Sequence, residues 1–247
     1  MIRDRFPGSD ILAQRGHWDD ATRRVVLDRV HNIPPFRFFD EDEQRTLEAL
    51  CERVLPQPGR PAARRVRIAP WIDERCSNEA HEGFRFDDMP PGPEAWRLGL
   101  RGLDETARAL HGAPFAVLSD GHQGEVLDSV RRGEPPGETW RTLPPRRWWM
   151  QVALREITGV YYAHPTAWDE IGFGGPAYPR GYASLNRGAP EPWEAREDLG
   201  ARAADEAERR AAATAPRTAE PDAEAGPAAT SAATSDAPAR RSIGAAE

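Results

Sequence analysis

Apolar residues recur at helical spacing along most of the first 160 positions. After Asp19-Asp20, the residues Val26, Leu27 and Val30 share one side of a short helix that ends before Pro34-Pro35. The sharpest pattern follows. Asp40 is a good N-cap and Glu43 stands three residues on, the signature of a capping box; Leu47, Leu50, Cys51, Val54 and Leu55 then hold helical register until Pro56 and Pro58. Residues 60–67 form a basic, Pro-containing connector, and Pro70 suits the first turn of a helix carrying Trp71, Ile72, Arg75 and Cys76. Trp96, Leu100, Leu103, Ala107 and Leu110 mark a long amphipathic helix closed by Gly112 and Pro114. Asp120 opens a shorter one with Val126, Leu127 and Val130 inward. A third long helix over 146–162 uses Trp149, Val152, Ala153, Ile157, Val160 and Tyr161. Its adjacent Trp148 and Trp149 point about 100° apart, which places one in the core and the other at a surface or interface. No alternating strand appears; Val66-Arg67-Ile68 is the best candidate and is too short. The pattern predicts an all-α protein, a single domain of about six helices joined by Pro-rich loops.

The periodicity stops at His164. Residues 163–193 are a long irregular arm rich in Gly and Pro, carrying the aromatics Trp168, Phe173, Tyr178, Tyr182 and Trp193. Loops of this length without their own secondary structure tend to be functional. Aromatics set between Gly and Pro suit a stiff strap across an apolar surface, and composition leaves open whether that surface is the chain's own bundle or a partner. Within the arm, Pro165 to Glu170 reads as one helical turn capped by His164. Beyond Leu199 the only large apolar residue is Ile243, so 196–247 is expected to be a disordered Ala/Glu/Arg/Pro-rich tail. Its Ala/Glu/Arg run over 201–213 has helical propensity but no apolar face. The organisation expected is a flexible N-terminus over 1–18, a helical domain over 19–195 and the tail.

A net charge of −7 argues against a phosphate-backbone binder, so no nucleic-acid partner is expected. Every basic residue is Arg, which removes Schiff-base and P-loop lysine chemistry. Cys51 and Cys76 have no metal-ligand spacing, and their number leaves pairing open. No apolar stretch approaches a membrane span. The first twenty residues lack an apolar h-region, and the apolar run after Arg23-Arg24 ends at three residues, so neither an ordinary nor a twin-arginine signal is read there. That leaves a cytoplasmic location, or an extracytoplasmic one reached together with an exported partner.

No GxSxG, no zinc-type His pair and no strand-to-helix GxGxxG is present. The one constellation to weigh is His164 with Asp169 and Glu170. It is either a base oriented by a carboxylate or a helix cap with two unrelated acids.

Two stretches carry a resemblance. Phe38-Phe39-Asp40-Glu41-Asp42-Glu43 leads into Leu47-Glu48-Ala49-Leu50-Cys51-Glu52-Arg53-Val54-Leu55-Pro56. Gly159-Val160-Tyr161-Tyr162-Ala163-His164-Pro165 continues through Trp168-Asp169-Glu170-Ile171-Gly172-Phe173 to Gly175-Pro176 and Pro179-Arg180-Gly181-Tyr182. With Ile72-Asp73 and the Trp96 helix between them, residues 36–185 resemble the gluconate 2-dehydrogenase subunit 3 family, the second motif being the more specific. The resemblance implies an all-helical accessory subunit with no cofactor, metal or catalytic residue of its own. It implies a large partner of the glucose–methanol–choline oxidoreductase family that holds FAD and oxidises a sugar or alcohol, with a cytochrome c subunit as a further member of the complex. Family members often carry a twin-arginine leader, from which this sequence departs. The contacts expected on the partner are Tyr162, His164, Pro165, Trp168, Ile171, Phe173, Gly175, Pro176, Tyr178, Pro179, Arg180, Gly181 and Tyr182, with Tyr161 or Tyr162 tying the arm to its own bundle. The competing readings are a stand-alone enzyme using His164 with Asp169 or Glu170, and a scaffold without a flavoprotein.

Overall fold

The computed structural model describes residues 5–78, 86–177, 181 and 194–214, and among these every regular element is helical. Helix α1 spans Asp20–His31 and α2 spans Glu41–Val54. The expected capping box closes in both directions: the Asp40 carboxylate accepts from the Glu43 N–H at 2.9 Å, and Glu43 accepts from the Asp40 N–H at 3.0 Å. Next come α3, Ile68–Ser77; α4, Gly92–His111; and α5, Asp120–Arg132. Arg65 and Arg67, on either side of Val66, are extended, but among the described residues no strand forms there. The Gln57 side-chain amide takes that place, accepting from the Val66 N–H at 2.9 Å and donating to its carbonyl at 3.1 Å.

The long helix α6 runs over 145–163. It starts as an α turn, Pro145–Arg147, widens into a π segment, Trp148–Leu154, and returns to α winding at Arg155–Ala163. The wider π turn alters the angle between neighbouring side chains. Trp148 and Trp149 are both buried, which corrects the expectation that one of them faces out. Trp148 lies against Gly99 of α4, and Trp140 lies one turn along, against Gly102. The Trp140 indole N–H donates to the Gly102 carbonyl and to Thr106 Oγ1, so this buried ring keeps its polar atom satisfied. Helix α4 thus sits at the centre of the main core, packed by α2, α3, α5 and the π segment.

Asp73 of α3 is fully buried. Its carboxylate accepts from the backbone N–H groups of Arg37, Phe38 and Phe39, at 2.7 to 3.2 Å, and so fixes the chain entering α2 onto α3.

Two more helices follow the six expected: α7, Pro165–Ile171, inside the arm, and α8, Leu199–Thr214. Helix α8 forms from an Ala-rich run with an Arg202–Glu206 pair at i,i+4, and Asp198 caps it through the Gly200 N–H. None of its described side chains joins either core cluster. Residues 215–247 of the expected tail lie outside the described residues.

The N-terminal segment departs from its expected flexibility. Asp10 caps a 3₁₀ helix, Ile11–His17, and Ile11 and Trp18 are each only 3% exposed. They form a second small core with Val26 and Trp168.

Candidate partner-binding surface

The arm begins where α6 breaks. His164 is extended and caps α7: its Nδ1 accepts from the Thr166 N–H at 3.2 Å, as the sequence predicts for a cap at this point. The ring also bonds the Arg29 backbone, and the Arg29 guanidinium donates to the Ala163 carbonyl at 2.9 Å, so the break is tied to α1 from both sides. Burial pushes the His164 pKa below its ordinary value; the Arg29 backbone bond opposes this, and the charges of Arg60 and Arg29 add to it.

The two acids face elsewhere. Asp169 accepts from Ser9 Oγ and from the Ile11 N–H, both at 2.9 Å. Burial raises its pKa, and these two bonds oppose the rise. Glu170 pairs with Arg60 and accepts from the Tyr161 hydroxyl at 2.7 Å. The arrangement of a base with an orienting carboxylate is therefore not assembled: His164 is a cap, Asp169 anchors the N-terminal segment and Glu170 closes a Tyr161–Arg60 cluster. Tyr161 is the buried tyrosine and Tyr162 the exposed one.

The arm divides residue by residue. Trp168 is buried at 6% exposure among Ile11, Trp18 and Val26, with its indole N–H donating to the Tyr162 carbonyl at 2.8 Å. It packs inside its own chain, and so do Pro165 and Gly175, both buried. Gly175 has φ +77°, and a Cβ there would stand 2.6 Å from Ile11 Cδ1. Gly172, at φ +66°, is closed over by Phe6 in the same way. Tyr162, Ile171 and Phe173 are exposed, Phe173 standing edge-on to Trp168 at 5.3 Å. Pro176 is half-buried and Gly181 exposed. Tyr178, Pro179, Arg180 and Tyr182 lie outside the described residues. Sequence reasoning missed the N-terminal partners of the arm, Phe6, Ser9, Ile11 and Trp18. Asp10 before Ile11-Leu12 was the one available sign, and the segment is too short to show a period.

Beside the break, α1, α3 and α6 enclose a cleft of about 250 Å³ lined by Arg29, Trp71, Arg75, Gly159, Val160, Ala163 and His164. Among the described residues no group of three or more His, Cys, Asp or Glu side chains is placed to hold a metal ion, and no helix is long and apolar enough to cross a membrane. Cys51 and Cys76 are unpaired and buried, and burial pushes both thiols up, Cys76 to about 12.

His164 carries a pH consequence. The folded state holds its pKa below that of the unfolded chain, so below the ordinary value of 6.5 the unfolded state binds more protons. The contribution to stability is complete above that value and is lost as pH falls through the folded one. His164→Asn keeps a capping oxygen and removes the titration. Thermal melts across this window should show a shallower fall for the variant than for the wild type. Identical slopes would contradict the assignment.

Among the described residues these features define an all-helical protein whose arm, over 163–177, is part buried strap and part exposed apolar surface. A family model described as gluconate 2-dehydrogenase subunit 3 matches residues 41–175, more than half of the chain, and the chain belongs to that family. No curated protein and no solved structure matches it.

Proposed function

We propose that this chain is the non-catalytic small subunit that binds and stabilises an FAD-dependent dehydrogenase of the glucose–methanol–choline type, acting on sugars or alcohols of the gluconate/glucose kind. The family match over 41–175 carries the reading, because it makes the chain one subunit of a dehydrogenase. The state of the ionisable groups supports it. A general base needs a free lone pair on its nitrogen, and that of His164 Nδ1 is taken by the Thr166 N–H. A nucleophilic cysteine needs a thiolate, and both thiols are held protonated by burial. In this reading FAD and the sugar bind the large subunit, a cytochrome c subunit receives the electrons, and the small subunit contributes a docking surface that includes Tyr162, Ile171 and Phe173.

Co-expression with the flavoprotein subunit tests this. The flavoprotein should show a higher thermal midpoint and a longer activity half-life with the chain than without it. Equal values in the two preparations, or oxidation of a sugar by the isolated chain with a dye acceptor, would overturn the proposal.

A further inference from the structure

Helix α7 is held from two opposite sides. Ala167 and Glu170, three residues apart, share one side: Ala167 belongs to the main core, and Glu170 joins the Tyr161–Arg60 cluster. The other side carries the N-terminal segment. There Ser9 Oγ and the Ile11 N–H donate to the Asp169 carboxylate, Ile11 packs with Trp18 and Trp168, and Phe6 and Ile11 close over Gly172 and Gly175. Arg23 of α1 donates to the Arg15 and Trp18 carbonyls, and Arg5 pairs with Glu197. Both ends of the segment are thus tethered, and residues 5–14 lie between the tethers as a cover on α7.

Two groups under the cover are ill served by it. The Trp18 indole N–H is buried and has no acceptor, and a buried donor without a partner disfavours the state that buries it. Trp168, the other indole of the same cluster, has its N–H on the Tyr162 carbonyl. The Asp169 carboxylate is half-buried with the Asp10 charge nearby; burial first and Asp10 after it disfavour its ionised form. Lifting residues 5–14 returns both groups to solvent or to a new partner, while Ala167 and Glu170 keep α7 in place. It also bares Trp168 beside Ile171 and Phe173, which are already exposed, and Phe173 stands edge-on to Trp168, so the uncovered face is continuous. That face falls within the residues that match the family, and the cover precedes them.

We propose that residues 5–14 are an autoinhibitory cover that competes with the dehydrogenase subunit for the outer face of α7. In the free chain the cover holds the face. In the complex it lifts, and the dehydrogenase subunit packs on Trp168 and Trp18 together with Ile171 and Phe173, supplying an acceptor for the Trp18 N–H. This rests on the subunit reading above and names what the partner presents: a branched apolar side chain to replace Ile11 between the indoles, and an N–H or hydroxyl donor for Asp169. The cover keeps a large apolar patch from non-specific association until the partner arrives. Its cost is an apparent affinity lowered by the fraction of chains held closed.

The test measures amide hydrogen exchange in the full chain, free and in complex with the co-expressed flavoprotein, together with Kd for two variants. In the complex, amides over 9–14 should exchange about tenfold or more faster than in the free chain, and those over 168–173 more slowly. Ile11→Ser loosens the cover and should bind about tenfold more tightly than the wild type, since fewer chains are held closed. Ser9→Cys with Asp169→Cys joins two side chains that meet at 2.9 Å. Its disulfide form should bind about tenfold more weakly than the same protein after reduction. Cys51 and Cys76 are buried with their thiols held protonated, so they do not compete for the new bond. Exchange over 9–14 that is unchanged or slower in the complex overturns the cover and leaves the subunit reading standing. So does equal or weaker binding by Ile11→Ser, or equal binding by the oxidised and reduced forms of the double variant. Failure of the wild-type chain to bind the flavoprotein overturns both readings.

Discussion

Asp73→Ala is expected to destabilise the isolated chain by about 4 kcal/mol, because it leaves three backbone donors without an acceptor in a site closed to water. The N–H groups of Arg37, Phe38 and Phe39 converge on this one carboxylate. Asp73 itself has no exposed surface, so water cannot take over its role without opening the junction of α2 and α3. The damage should extend beyond the three bonds. Phe39 and Leu47 belong to the same core, and Arg97 reaches the Phe38 carbonyl at 2.6 Å from α4, with its guanidinium over the Phe38 ring. Asp73→Asn keeps one acceptor oxygen but turns an amide donor toward donors, so its loss should be smaller than that of Ala and still exceed about 1 kcal/mol. Urea unfolding of the three proteins gives the order. A drop in melting midpoint on the order of 10 °C for the Ala variant is the thermal counterpart. An Ala variant within about 1 kcal/mol of the wild type would show that the loop before α2 is held by something else.

Gly99→Ala is expected to cost about 3 kcal/mol, although Ala is the better helix former by about 1 kcal/mol. A Cβ at this position would stand 2.0 Å from Trp148 Cε2 and 2.1 Å from its Nε1. The neighbour is the rigid body of a fully buried indole, so it cannot swing aside. Relief requires α4 and the π segment of α6 to separate, and Trp140 against Gly102 resists that separation one turn further on. Interiors packed to crystal density transmit such a shift instead of absorbing it. The same substitution at Gly159 carries the opposite sign, since there the helix gains and nothing is crowded. Melting both variants in one buffer isolates packing from propensity. Equal changes at the two positions would contradict the account of the α4–α6 contact.

The helices were legible where their determinants are local. Asp40 with Glu43, and the apolar stripes of α2 and α4, specify those elements within one or two turns, and His164 as the cap of α7 was readable in the same way. The role of Asp73 was not, because its three donors lie more than thirty residues earlier in the chain. Only the fold brings an α3 carboxylate to the entry of α2. The paired burial of Trp148 and Trp149 was hidden for a related reason: a rule for α winding does not anticipate a π segment. The arm could be recognised as unusual, but not divided. Trp168 and Phe173 look equivalent in sequence, and the difference between them is made by Ile11 and Trp18 on a segment too short to announce itself. The cleft at Gly159 depends on three helices meeting, and no local pattern reports that.

The central claim is that this chain works by binding a flavoprotein dehydrogenase. The most direct measurement is size-exclusion chromatography of the full chain co-expressed with the FAD-dependent subunit, reading flavin absorbance and both polypeptides across the elution. The account predicts one peak carrying both chains and the flavin, and a colourless peak without dehydrogenase activity when this chain is run alone. Separate elution of the two chains, or flavin travelling with this chain by itself, would contradict it.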